Sequence, residues 1–387
     1  MNTIIPAVLM SVGGTEVHLG FLTAIMISGS RVPQIFFGQM LSKTARKKPP
    51  LLAGIYVRVG SLAVLALVVQ QSAVLTPGTV IVLIFVLISI FSLSGAFAGV
   101  AYTDMLGKSI LQEDRKRFFV TRQTITSIGI LFSAIIARKL LMLYPVPVNY
   151  SILFYGASGL LLIATAGFWV LREQVATPAA PRKSATDKGA KEGIIAAIKA
   201  DQNLLYYLLV SNTASISVVI IPFYIALAKA SFHLTSQAVG NYLVLQILGM
   251  IVSNAVWIKI INTTKTYKSI LYVSLGLNMA LPVYALVAVQ HQIAFLAVFV
   301  LAGFSLTAYE IVMSGILVEI STDENRALYT GISGTGSLLP VVFPVLGGLF
   351  IARIGYLPVF LTSVLLMSLS IFFIKRIQCQ KPVEKKL

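Results

Sequence analysis

The sequence predicts an all-α membrane protein of two similar helical bundles. Three observations carry that expectation: an excess of apolar side chains, their division into bilayer-length stretches, and a repeat that relates the two halves. Of the 387 residues, 57% are hydrophobic and only 11% charged, and the mean hydropathy is +0.89. One soluble core of this length buries far less apolar side chain than that. In hydrocarbon every backbone N–H and C=O must be bonded within the chain, so each crossing takes about 20 apolar residues wound as a helix. The single cysteine, Cys379, lies in a polar tail, which excludes a disulfide framework and paired-cysteine metal or redox sites.

The first apolar stretch, Ile4 to Met10, ends at Gly13 and Gly14 and is well short of a crossing. The first fifteen residues contain no Lys or Arg, so it does not read as a signal peptide; it reads as a first span cut short. Eleven full spans follow, near 17–42, 50–70, 79–105, 118–141, 150–171, 203–227, 236–261, 269–289, 292–318, 328–352 and 356–375. Between the fifth and sixth of these lies "REQVATPAAPRKSATDKGAKEG", residues 172–193, rich in Pro, Ala and charge. It reads as a linker. The expected organisation is therefore an N-terminal bundle over 1–171, a linker over 172–202, a C-terminal bundle over 203–375 and a tail over 376–387.

Charge gives the orientation. Taking alternate connections as one side places 23 of the 30 Lys and Arg there and four, Arg138, Lys139, Lys229 and Arg353, on the other. Short loops rich in Lys and Arg stay on the cytoplasmic side, so linker and C-terminus are expected inside. The cluster Lys43, Arg46, Lys47 and Lys48 acts as a cytoplasmic staple. The net charge of +17 has the same origin, and a nucleic-acid partner is not expected, because that role needs a soluble basic face with stacking aromatics.

The halves align without a gap from Gly20 ("GFLTAIMISGSRVPQIFFGQMLSKTARKK") onto Gly240 ("GNYLVLQILGMIVSNAVWIKIINTTKTYK"), and "QEDRKRFF" at 112–119 onto "STDENRAL" at 321–328. Two like bundles in one membrane chain are a sign of an alternating-access transporter with its site between the repeats.

The stretch opening at Gly38 resembles the loop between the second and third helices of the major facilitator superfamily. Gly38, Arg46 and Lys47 match; Ser42 stands where Asp is usual and Ala45 where Gly is usual. The resemblance covers the chain from the short first span onward and implies two six-helix bundles related by a pseudo-two-fold axis. In the superfamily that Asp helps to lock the cytoplasmic side, so Ser42 implies a weaker or differently built latch. The fourth span lacks the central Arg of drug antiporters and the fifth lacks their proline-glycine signature, while "FPVLGG" at 343–348 sits in the eleventh helix, counting the short first one.

Charge left inside the membrane is costly and marks function by default. Arg31 lies eleven residues from the cytoplasmic end of its span, about 16 Å at 1.5 Å per residue. It shares a small, polar face with Gly20, Ala24, Ser28, Gln34 and Gly38. The substrate-binding or gating role is favoured over an Arg that steadies a helix contact through backbone carbonyls. Glu310 shares a face with Gly303, Thr307 and Ser314; a carboxyl in a poorly solvated cavity can take up and release protons as access changes sides. A permanent structural tie to an Arg is the equal alternative. Asp104 is the related acid of the first half, with pairing to Arg122 as its structural reading. Arg58 is expected to pair with Asp104 or another acid, since the resembling fold keeps its third helix outside the cavity. Asn212, Ser215 and Ser217 interrupt the seventh helix, which lines the cavity in that fold, and there bond a polar solute or simply hold packed helices together. Tyr102 and Tyr309 are candidates for the cavity floor. Gly331, Gly334, Gly336, Pro340, Pro344, Gly347 and Gly348 make the eleventh helix breakable, and Gly95 with Gly99 offers a close approach in the fourth.

No GxxxxGK[ST], HExxH, GxSxG or strand-borne GxGxxG occurs, so neither an enzyme nor an ATP-driven pump is expected. His18, His233 and His291 fall near helix ends without ligand-spaced partners, so no metal or other cofactor is expected. The expected function is secondary transport of a small solute, anionic or zwitterionic on the balance of buried arginines. It is expected to be proton-coupled, in the cytoplasmic membrane, and to work as a monomer. The alternative is a non-transporting scaffold, receptor or assembly factor, whose central cavity would be filled with bulky apolar side chains.

Overall fold

The computed structural model describes residues 3–42, 44, 46–109, 112–170, 198, 201–232, 235–264, 267–321 and 326–378. Most of the expected linker and of the tail falls outside them, as do His233 and the side chains of Ser42, Asp104 and Arg122. The described residues form helices and no strand: α1 (Ile4–Ser11), α2 (Glu16–Arg31), α3 (Gln34–Ser42), α4 (Lys48–Gln70), α5 (Pro77–Ser109), α6 (Gln112–Leu143), α7 (Val148–Val170), α8 (Gln202–Ala214), α9 (Ile216–Val219), α10 (Ile221–Ser231), α11 (Ser236–Thr264), α12 (Tyr267–Ala288), α13 (Gln292–Ile320), α14 (Arg326–Thr335), α15 (Leu339–Ile354) and α16 (Tyr356–Arg376). Ten described stretches are long and apolar enough to cross a membrane, and α6 coincides with the remaining expected span. At eight residues, α1 is too short to cross.

Three expected spans are broken rather than continuous. The first full span turns at Val32 and Pro33, the next broken one steps through Ser215 and Ile220, and the last interrupts between Thr335 and Leu339. Proline explains two of the restarts: Pro222 and Pro340 occupy the first turns of α10 and α15, where a missing N–H removes no helical bond.

Within the amino half, α4 packs on α5 and α7, and α2 on α5; within the carboxyl half, α11 packs on α13, α12 on α13 and α16, and α8 on α16. The halves meet along two seams, α2 on α15 and α11 on α6. The repeat seen in sequence makes equivalent contacts. Aligned Gly20 and Gly240 line the two seams: a Cβ at Gly20 would lie 2.2 Å from the Pro344 carbonyl oxygen, and one at Gly240 3.1 Å from Arg138 Cα. Aligned Gly29 and Gly249 bring α2 against Ser92 of α5 and α11 against Val300 of α13. At the end of the repeat, Lys48 donates through Nζ to Trp169 O (2.7 Å) and its counterpart Lys268 donates to Ile377 O. Each lysine thus reaches the carbonyls that close the last helix of its own bundle, where a cation opposes the negative end of the helix dipole. Lys47, of the basic cluster, is buried at 5% exposure, with Nζ donating to Leu41 O and Thr44 O at the end of α3.

The face opposite the basic loops is sealed across the halves. Lys229 Nζ donates to Met10 O (2.7 Å), Tyr356 Oη to Glu16 Oε1 (2.9 Å), Arg138 Nε to Asn241 Oδ1 (2.7 Å) and Asn149 Nδ2 to Ser236 Oγ (2.8 Å).

Glycine is required where backbones touch. A Cβ at Gly303 would stand 2.2 Å from Gln246 O and 2.7 Å from Met250 N, whereas one at Gly99 meets nothing within 4 Å, so the close approach expected at Gly99 is not made. Gly303→Ala is expected to destabilise the purified protein by about 1–3 kcal/mol, as overpacking does. Gly99→Ala is expected to be neutral or slightly stabilising; thermal melting in detergent compares the two.

Candidate functional site: a polar seam between the bundles

Arg31 is the last residue of α2, and the turn that follows it faces the break between α14 and α15. Its Nη1 donates to Ser337 Oγ at 3.5 Å, across the two halves, and Ser337 Oγ donates onward to Ser333 O at 2.8 Å. Gln34, one turn on, is exposed; its Nε2 donates back to Ser30 O at 2.8 Å, while its Oε1 lies 4.0 Å from where a Cβ at Gly334 would stand. Two broken helices therefore meet with one guanidinium between them.

Asn212 fills the break on the other side. Its Nδ2 donates to Gly336 O (2.8 Å) and Leu208 O (2.9 Å), and its Oδ1 accepts from Leu339 N (2.9 Å). The carbonyl before the gap and the N–H after it, which have no water to turn to in hydrocarbon, are both satisfied by this one amide. Of the two readings open for Asn212, the structure displays the helix-holding one. Ser215 Oγ donates to Asn212 O (2.6 Å) and Ser217 Oγ to Ala214 O (2.8 Å), both within α8 and α9 and both buried. Tyr309 stands on α13 beside them, its hydroxyl 3.4 Å from Ser211 Oγ.

Glu310, the next residue on α13, opens on a separate cleft of about 120 Å³ between α6, α11 and α13. Ile130, Ile247, Met250, Ile251 and Ile311 form its apolar walls, and Asn254 and Thr307 its other polar groups. No cation pairs with Glu310 among the described residues. Thr307 shares the Glu310 face as the sequence reading has it, and Asn254 extends the set; it was within reach there, since the repeat aligns it with Gln34. Ser337 carries no such signal: it lies in a glycine-rich stretch with no counterpart pattern.

Arg58 stands apart from both groups. Its guanidinium lies 4.3 Å from the Phe91 ring centroid and beside Gly95, and its Nε has no partner. Among the described residues it makes a cation–π contact rather than the ion pair expected. The acids and bases proposed around it, Asp104 and Arg122, lie on α5 and α6 with side chains outside the described residues, as does Ser42 on α3. Of the loop motif, Gly38 belongs to α3 with open space at its Cα, Arg46 is exposed and Lys47 caps α3. Tyr102 packs edge-on against Phe168, within the amino half. A larger groove of about 290 Å³ between α15 and α16 has Thr362 as the only polar residue in its lining. It suits an acyl chain better than a polar solute.

Comparison with known proteins places this arrangement. Residues 204–386 match the family model of the Major Facilitator Superfamily. A search of curated protein sequences finds no match. Among solved structures, the nucleoside transporter NupG superposes with a TM-score of 0.72 at 10% identity, covering 98% of this chain and 95% of that one. A D-xylose-proton symporter gives 0.70 at 13% identity, over 97% and 94%. The xylose transporter XylE from E. coli, in an inward-open conformation, gives 0.65 at 12% identity, over 99% and 93%. At such identities the likeness shows the fold. The family sequence thus lies in the carboxyl half, and that fold extends over nearly the whole length.

Proposed function

We propose that the protein is a proton-coupled secondary transporter that moves a small anionic or zwitterionic solute across the cytoplasmic membrane by alternating access. The observation that carries this reading is the pair of unlike charges held between the bundles: Arg31 at the seam of α2 with α14 and α15, and Glu310 in the cleft of α6, α11 and α13. A guanidinium presents several N–H donors to a carboxylate or phosphate, and among the described residues Arg31 uses one of them, on Ser337, so capacity remains for solute. A carboxyl that meets no cation among the described residues is free to gain and lose a proton as its surroundings change. The bundles are the units 1–171 and 203–375, joined by the cytoplasmic linker 172–202 and followed by the tail 376–387. Under the charge rule the basic loops lie in the cytoplasm, which makes the sealed face the outer one and the state inward-facing. Asp104 serves as a second candidate for proton exchange, and the working unit is the monomer.

The scaffold reading loses ground to the same cleft. A non-transporting relative has no use for a carboxyl, an amide and a hydroxyl converging between its bundles, and Glu310, Asn254 and Thr307 do so. Polar groups within a membrane span are costly, and a chain freed from transport would exchange them for apolar residues.

Two substitutions test the assignment in proteoliposomes. Arg31→Ala is expected to lower uptake at least tenfold, with Arg31→Lys recovering part of it, because a lysine keeps the charge but not the planar donor fork. Unchanged transport by both variants removes Arg31 from the site. Glu310→Gln is expected to keep solute counterflow while losing accumulation driven by a pH gradient; accumulation at the wild-type level ends the proton role.

A further inference from the structure

Two unpartnered polar groups lie behind the seal, on one face of α11. Gln246 is 4% exposed and its Nε2 has no partner; Tyr242, one turn nearer the sealed face, is 1% exposed and its hydroxyl has none. Neither position is a satisfied core contact. A buried donor without an acceptor is destabilising, and a chain normally avoids this by apolar replacement or a bound water. The repeat shows the replacement is available: the residues aligned with Gln246 and Tyr242 are Met26 and Leu22.

The two groups ride with the carboxyl half, and Gln246 is also bonded across to the amino half. Tyr242 stacks on Phe299 of α13 with centroids 4.1 Å apart, and the Gln246 backbone is pressed against Gly303 of α13. Thr3 Oγ1 donates to Gln246 Oε1, and Arg138 of α6 holds Asn241, the neighbour of Tyr242. Separation of the halves at this face frees Gln246 from Thr3 and the residue beside Tyr242 from Arg138. Deeper along α11, Ile247 and Met250 already line the Glu310 cleft, so the hidden face continues the lining of the open one.

We propose that Tyr242 and Gln246 form a solute-binding face, concealed in this state and exposed when the face opposite the basic loops opens, that receives hydroxyl groups of the solute. A phenol and a primary amide offer neutral donors and acceptors and no charge, while Arg31 supplies the cation. The inference rests on the transport reading and sharpens it: the solute is a carboxylate that carries hydroxyl groups.

The test uses a Cys379→Ser background, which removes the only native thiol. Tyr242→Cys, Gln246→Cys, Asn241→Cys as a seal reporter and Ala285→Cys as a core control are exposed to a charged, impermeant maleimide in right-side-out and inside-out vesicles. Residues 241, 242 and 246 are expected to label from the face opposite the basic loops, and residue 285 from neither. Releasing the Tyr356–Glu16 bond with Tyr356→Phe is expected to speed that labelling several-fold. D-gluconate is expected to slow labelling at 246, and hexanoate, which lacks hydroxyls, is not. Labelling at 241 without labelling at 242 and 246 overturns the binding face and leaves transport standing. Labelling at 246 that D-gluconate does not slow overturns the hydroxyl assignment. Silence at all positions, including 241, shows that this face never opens and overturns the transport reading as well.

Discussion

A broken helix in hydrocarbon has to find partners for the backbone groups the break sets free, and this requirement organises the centre of the molecule. Between α14 and α15 the ladder is interrupted, and Asn212 supplies both a donor for Gly336 O and an acceptor for Leu339 N. That ties α8 to the break and leaves Ser337 facing the other half. The turn after Arg31 lies opposite, so the guanidinium meets Ser337 rather than lipid. Without Asn212 the Leu339 N–H would lose its acceptor and the Gly336 carbonyl one of its donors, at a cost to the break that faces Arg31.

The two seams are alike in backbone and unlike in chemistry. Gly20 and Gly240 set the same approach between halves, and Gly29 and Gly249 the same approach within them. Yet Arg31 aligns with Ile251 and Gln34 with Asn254, so one seam carries the cation and the other presents an isoleucine beside a short amide. The acid sits across from that second seam, on α13. A symmetric scaffold with its charge placed asymmetrically keeps cation and acid from neutralising each other. A permanent ion pair would tie the halves together and oppose any relative movement.

Much of the fold was legible because the bilayer imposes a length rule and a charge rule. The spans, the short first helix and the repeat all follow from where apolar runs and lysines fall, and Lys48 with Lys268 makes the alignment physical by closing α7 and α16 in the same way. The breaks were only half legible. Pro222 and Pro340 mark restarts, but the turn after Arg31 coincides with Pro33 in a stretch whose hydropathy reads straight through. Arg58 shows a further contact of this kind: sequence shows a buried cation with few acids nearby, and a phenylalanine face is a partner that charge counting does not see.

The site residues divide by what a one-dimensional reading can weigh. Arg31 and Glu310 stand out because charge in a membrane span is rare, and both face the space between the halves. Asn212 and Ser215 do not separate from ordinary helix-to-helix bonding until the acceptors are named, and those acceptors turn out to be backbone. Gln246 is the opposite case. In sequence it is one amide in an apolar helix, and only its burial without a partner beside Thr3 gives it meaning. An amide N–H left unsatisfied in one state raises the free energy of that state, so the unpartnered Nε2 offsets part of what the Thr3 bond to Oε1 contributes to the seal.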